Sequence, residues 1–142
     1  MPESLQKVVN NEIQELEEEK IPAIVAISEQ IEDYENKKVV LSFEPYTKNS
    51  CEIYLMQKPD ANHFTDELKK ITTTLKKHFL HQNSSTIACK SVKNSGNYSP
   101  LFNNVPEDSE LLEVDYTKAG RIFGYLTHNI FNIVAVRVRH IK

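Results

Sequence analysis

The feature that most constrains this chain is the place where its hydrophobic spacing changes from a helical to an extended period. Leu5, Val9, Ile13 and Leu16 recur at four-four-three spacing, which lines them along one face of a helix over residues 3 to 20. Ile24, Ile27, Ile31 and Tyr34 continue the pattern after Pro22, a residue suited to a first helical turn because its missing N–H is not needed there. These stripes predict two helices, or one helix kinked at the proline. From Lys38 the period becomes 2: Val39, Leu41 and Phe43 point one way, Val40, Ser42 and Glu44 the other. The turn-rich run from Pro45 to Ser50 and a second alternation from Cys51 to Gln57 complete the pattern of a β-hairpin.

Pro59-Asp60 ends that strand, and Asp60 or Asn62 is placed to cap one further helix with the stripe Phe64, Leu68, Ile71, Leu75 and Phe79, ending near His81. Thr72, Thr73 and Thr74 lower its intrinsic propensity through their β-branched side chains, so packing must hold it. Residues 82 to 109 are rich in Asn, Ser, Gly and Pro and predict a loop with one short strand across Thr86 to Val92. Beyond it, Leu112, Val114 and Tyr116 alternate with Leu111, Glu113 and Asp115, a Lys118-Ala119-Gly120 turn leads to Arg121–Thr127, and His128-Asn129 forms a two-residue loop with Asn129 at positive φ. Ile130 to Val138 is the longest strand signal, and its mixed apolar run predicts a central position. The expected fold is therefore α+β: two N-terminal helices, a β-hairpin, one further helix and a C-terminal three-stranded antiparallel meander, as a single domain over residues 1 to 142.

Charge divides the chain more sharply than its net of −3 suggests. Residues 1 to 36 hold ten acids against Lys7 and Lys20, an acidic helical front to a basic, β-rich body over 37 to 142. Lys69, Lys70, Lys76, Lys77, Lys90 and Lys93 form one acid-free basic segment, and Lys118, Arg121, Arg137, Arg139 and Lys142 another. Such segments are the electrostatic footprint of a phosphate-backbone binder, and solvated helix faces carry the same lysines. No apolar run approaches the ~20 residues of a membrane span, and the first residues lack a secretory pattern. Cys51 and Cys89 stand in alternating runs without metal-ligand spacing, so both are expected as reduced thiols and the protein as cytoplasmic.

No phosphate-cradling glycine loop, zinc pattern or nucleophile elbow is present, and neither a cofactor nor a metal is expected. His78 and His81, three apart, lack a carboxylate to complete a metal site. Chemistry is instead expected in the final strands, where Arg121, Phe123, Tyr125 and Thr127 share one face, and Phe131, Ile133, Ala135, Arg137 and Arg139 share one face of the next strand. If these faces coincide, Arg121, Arg137 and Arg139 become phosphate ligands, and His128, His140 and Tyr125 the proton-transfer groups of a metal-free endoribonuclease. Alternatively the arginines guard an exposed sheet edge against aggregation, and the histidines are ordinary turn and terminal residues.

The segment from Leu111 to His140, LLEVDYTKAGRIFGYLTHNIFNIVAVRVRH, resembles the closing meander of the RelE/ParE-like bacterial toxins, with Arg121-Ile122-Phe123 and Val136-Arg137-Val138-Arg139 carrying the likeness. The resemblance implies a compact α+β fold, RNA cleavage or gyrase inhibition, a cognate antitoxin partner and no cofactor. RNA or the ribosome is then the expected target. The other function that the charge pattern suggests is a non-enzymatic interaction protein, such as an immunity protein, antitoxin-like inhibitor or effector accessory, which engages a basic protein partner through the acidic helices 1 to 36.

Overall fold

The computed structural model describes residues 33–80 and 87–141. The chain divides into a unit of residues 1–33 and a unit of residues 34–142, and the fold described is that of the second. The helices expected before Asp33 lie outside the described residues. The second unit opens on a 3-10 turn, Tyr34–Asn36, and combines helices with a mixed five-stranded sheet, an α+β arrangement. Its strands are β1 (Val40–Ser42), β2 (Cys89–Ser91), β3 (Leu112–Asp115), β4 (Arg121–Thr127) and β5 (Ile130–Arg137). They lie in the order β1-β5-β4-β3-β2, with β1 parallel to β5 and every other pair antiparallel. The sheet is thus wider than the expected three strands, and β5 is interior, as its apolar run predicts.

The expected hairpin does not form. Val40–Ser42 pairs in parallel with Ile130–Asn132, and residues 51–57 hold a 3-10 turn, Ile53–Leu55, instead of an antiparallel mate. Cys51 bridges Val136 in parallel, and the Glu52 N–H donates to the Val136 carbonyl at 2.7 Å. The chain therefore runs along β5 twice in one direction, leaving the edge at residue 43 and returning at residue 51. Val39 and Cys51 enter one core, with Leu41, Tyr46 and Ile53 packed against it. Alternation read as two paired strands is in fact one interrupted edge, broken where Pro45 has no N–H for a ladder.

The helix expected to reach His81 stops at Thr73. α1 (Lys58–Thr73) buries Phe64, Glu67 and Ile71, and a single turn, α2 (Lys76–Phe79), buries Phe79. Between them Thr74 is extended, and its carbonyl accepts the Val39 N–H at 3.0 Å while Leu75 bridges Lys38. The Thr73 and Thr74 hydroxyls donate to the Lys69 and Lys70 carbonyls at 2.8 and 2.6 Å, the back-bonding that weakens a helix. β-Branched crowding and the competing backbone partner at residues 38–39 together end the helix.

Apolar side chains cover both faces of the sheet. On the α1 side, Ile71, Phe79, Val114, Ile122, Phe131, Ile133 and Val136 are buried together, each large side chain worth about 1.5–3 kcal/mol of burial. On the other, Leu101, Leu111, Phe123, Val134 and Ala135 form a second core under a run of 3-10 turns, Gly96–Asn104, that structures the expected loop.

One irregularity decides which face each β5 side chain takes. Phe123 pairs with Ala135 and Gly124 with Ile133, so Val134 is an extra residue on β5. Strict alternation would keep Phe131, Ile133, Ala135 and Arg137 together, as the sequence suggests. The bulge instead leaves Phe131 and Ile133 on the α1 side, sends Val134 and Ala135 to the other core, and puts Arg137 on the face of Arg121, its register partner.

Candidate anion-binding cleft

The two arginines that the bulge brings together have unlike surroundings. Arg121 is 8% exposed, and its Nε lies 2.9 Å from both Glu113 Oε1 and Asp115 Oδ1. Its terminal nitrogens donate to the carbonyls of Thr117, Gly120 and Lys118 at 3.0, 2.8 and 3.1 Å. Glu113, itself buried, also has Lys90 Nζ at 3.7 Å. Cross-strand register builds this knot, since Glu113 faces both Lys90 and Phe123, while Asp115 faces Arg121. Removed from water, the guanidinium is held by charge-assisted bonds to its own chain, where it closes the β3–β4 turn.

Arg137 has fewer partners. Its carbonyl accepts the Tyr116 hydroxyl at 2.8 Å, which fixes the end of β5. Its Nε comes within 3.4 Å of Glu52 Oε1, an ion-pair distance whose geometry makes no hydrogen bond, and that oxygen accepts the Val138 N–H at 3.0 Å. Among the described residues Arg137 Nε is buried without a hydrogen-bond partner, although the side chain as a whole is 32% exposed. A buried donor left unpaired costs ~1–3 kcal/mol, so Arg137 is held less fully than Arg121 while its side chain stays part-exposed.

Arg137 lines a cleft of about 540 Å³. One wall is the excursion between β1 and Cys51, which presents Thr47 and Asn49. The other is the 3-10 run, with Asn97, Pro100, Asn103 and Asn104 exposed and Leu101 buried. Buried Leu101 anchors that run on the second core, and His140 and Ile141 close the cleft beyond β5. A guanidinium, an imidazole and several amides in one cleft are equipped to hold an anion and a polar group attached to it.

Of the six residues expected at a site, the cleft unites two, Arg137 and His140. Arg121 is engaged in the buried knot, and Arg139 is exposed but outside the cleft lining. Tyr125 is half-buried against the second core, opposite Asn132. His128 sits at the β4–β5 turn, its ring stacked on Tyr34 with centroids 4.5 Å apart. β5 alone, eight residues at ~3.3 Å each, separates the two histidines by roughly 26 Å. The positive φ expected at Asn129 belongs to His128, at 56°. Asn129 is committed to β1: its side-chain amide donates to the Lys38 carbonyl, and its own carbonyl accepts the Val40 N–H, both at 2.9 Å.

Asn49, Asn103 and Asn104 are absent from the sequence-derived site because each stands in a segment rich in turn formers. The Cys51–Val136 bridge ties one segment to β5, and the burial of Leu101 in the second core ties the other to the sheet. On the α1 face a second depression of about 360 Å³ includes His63, Glu67 and Tyr116. Burial pushes the Glu67 carboxyl above its ordinary value, against the opposing pull of Lys70, and pushes Tyr116 up to about 12. Burial likewise raises the Cys51 thiol and brings Cys89 up to about 12, which leaves both protonated and unreactive at neutral pH. Among the described residues no group of three or more His, Cys, Asp or Glu is placed to hold a metal ion, and no helix is long and apolar enough to cross a membrane. The chain matches no family model, no curated protein and no solved structure.

Proposed function

We propose that this chain is an RNA-binding domain that holds a backbone phosphate at Arg137. The observation that carries it is the part-exposed, incompletely satisfied Arg137 side chain in a cleft shared with His140. The basic segments support a polyanionic ligand, and the resemblance of the last third to RelE/ParE-like toxins supports RNA as its class. Cleavage of RNA without a metal needs a base and an acid at one phosphate. With His128 at the far end of β5 and Tyr125 outside the cleft, His140 stands there without either of them, so the geometry supports binding in preference to cleavage. Filter retention of labelled RNA tests this: Arg137→Ala lowers affinity at least about tenfold and reduces the salt slope by about 1. Retention equal to wild type at every salt concentration contradicts it. RNA recovered intact after incubation fits the binding role, and cleavage lost in His140→Ala restores the nuclease.

A second function, docking of a protein partner, is favoured by the outer edge of the sheet. Among the described residues no strand lies beyond β1, where residues 74–76 meet the chain at residues 37–39, and Val40 and Phe43 are 47% and 44% exposed. An unpaired apolar edge is suited to strand addition. If this is the function, Val40→Glu with Phe43→Glu abolishes capture of the partner and leaves RNA retention unchanged.

A further inference from the structure

We infer that one carboxylate oxygen of Glu52 serves the cleft twice, pinning the end of β5 and acting as the resident counterion of Arg137, so that an incoming phosphate must share the guanidinium with it. This rests on the phosphate-holding function just proposed and extends it to what sets its strength.

The fold places Glu52 without help from the arginine. Cys51 bridges Val136, and the Glu52 N–H donates to the Val136 carbonyl at 2.7 Å. Its own carbonyl accepts the Leu55 N–H at 2.9 Å, which starts the 3-10 turn Ile53–Leu55. Oε1 then accepts the Val138 N–H at 3.0 Å, one residue past β5 and two before His140. Main chain and side chain are both tied to the strand, and the side chain is 19% exposed. The negative charge is therefore a fixed part of the surroundings of Arg137. Among the described residues no other carboxylate comes within ion-pair distance of that arginine.

That oxygen lies 3.4 Å from Arg137 Nε, which is buried, whereas the side chain as a whole is 32% exposed and lines the cleft. Glu52 is outside the cleft lining, so it acts on a ligand through the arginine and not by contact. A negative charge behind a cation weakens the pull of that cation on a second anion. The pair makes no hydrogen bond, so the aim of the guanidinium owes little to it. Aim comes from the backbone, where the Tyr116 hydroxyl donates to the Arg137 carbonyl at 2.8 Å and Glu52 holds the next N–H. The two roles of the oxygen are therefore separable: its charge restrains affinity, and its place as an acceptor keeps the segment from Arg137 to His140 in position. Arg121 shows the limit of the first role, because two carboxylates and three carbonyls already surround it.

The test uses the full chain, with inorganic phosphate and the single-stranded RNA hexanucleotide A6 as ligands, titrated calorimetrically at low and high salt. Glu52→Gln removes the charge and keeps an acceptor for the Val138 N–H. It is expected to tighten both ligands about three- to fivefold at low salt, a gain that fades at high salt. Glu52→Ala, which removes the acceptor as well, is expected to lower Tm and to bind neither ligand tighter than wild type. Glu52→Gln combined with Arg137→Ala is expected to bind like Arg137→Ala alone. In wild type the 13C signal of the Glu52 carboxylate is expected to move with phosphate occupancy, a reading that needs no variant. Affinity unchanged or weakened by Glu52→Gln, a gain that survives in the Arg137→Ala background, or a stationary carboxylate signal at saturation overturns the counterion role while phosphate holding stands. Glu52→Ala binding as tightly as Glu52→Gln overturns the pinning role. If Arg137→Ala leaves every affinity unchanged, phosphate holding itself fails.

Discussion

Arg121 and Arg137 face each other across β4 and β5, yet the region around the β3–β4 turn and the region around the cleft treat the same side chain in different ways. At the turn, two carboxylates and three carbonyls surround a guanidinium that is almost wholly buried. At the cleft, a single carboxylate approaches without a hydrogen bond, and one buried nitrogen is left over. Position in a sheet does not make an arginine a ligand. What matters is whether neighbouring strands have already supplied its acceptors.

The contrast breaks most readily by exchanging the costs of losing each residue. Arg121→Ala strands Glu113 without its buried partner and is expected to destabilise by about 3–5 kcal/mol, read by urea unfolding. Arg137→Ala is expected to cost under about 1 kcal/mol, since its ion pair is partly exposed, and to act on RNA affinity instead. Similar stability losses for the two would remove the distinction.

Next in size is a test of the backbone that aims Arg137. A Cβ on Gly124 would lie 2.5 Å from the Asn132 carbonyl oxygen and 2.7 Å from the Phe131 ring. Gly124→Ala is therefore expected to cost about 1–3 kcal/mol in thermal or urea unfolding. Deletion of Val134 removes the extra residue, and plain alternation then keeps Phe131 and Ile133 on the α1 side and Ala135 and Arg137 on the cleft face, so RNA retention is expected to persist at a cost in stability. Loss of retention in a deletion variant that still folds would show that the bulge itself is needed to aim the arginine.

The α1 face supplies a buried acid to set beside the arginines. Lys70, its ion-pair partner at 3.5 Å, is largely exposed, so desolvation prevails and raises the Glu67 carboxyl. The folded protein then binds this proton more tightly than the unfolded chain does. Its contribution to stability is greatest below the ordinary glutamate value and falls as pH rises from there through the raised one. Glu67→Gln should accordingly raise Tm at neutral pH and give no gain below about pH 4. An equal Tm change at both pH values contradicts that origin.

The smallest effect belongs to the far end of the sheet. His128→Ala removes the stack on Tyr34 and is expected to cost about 0.5–1.5 kcal/mol while leaving RNA affinity unchanged.

Much of the sheet is legible in the sequence because the apolar content of Leu112–Asp115, Arg121–Thr127 and Ile130–Arg137 marks extended segments that are buried. The interrupted edge at Val40 and Cys51 is not, since alternation says that a segment is extended but not which strand it joins or in which direction. Nor is the bulge at Val134, because every residue from Ile133 to Val136 is apolar and fits either face. That one insertion determines the face of Arg137. Arg121 looks like a ligand from sequence because its acids, Glu113 and Asp115, lie on the preceding strand, where only register shows that they meet it. The amides of the cleft stand in turn-rich segments whose composition describes a loop without showing what that loop faces.

The most direct measurement is 15N NMR of the arginine side chains during titration with A6. The Arg137 guanidinium N–H resonances should move with the fraction of RNA bound, because the part-exposed group meets the phosphate, while the Arg121 Nε–H, bonded to Glu113, stays in place. A stationary Arg137 signal at saturating RNA, or equal movement of the two, would contradict the assignment of phosphate binding to this cleft.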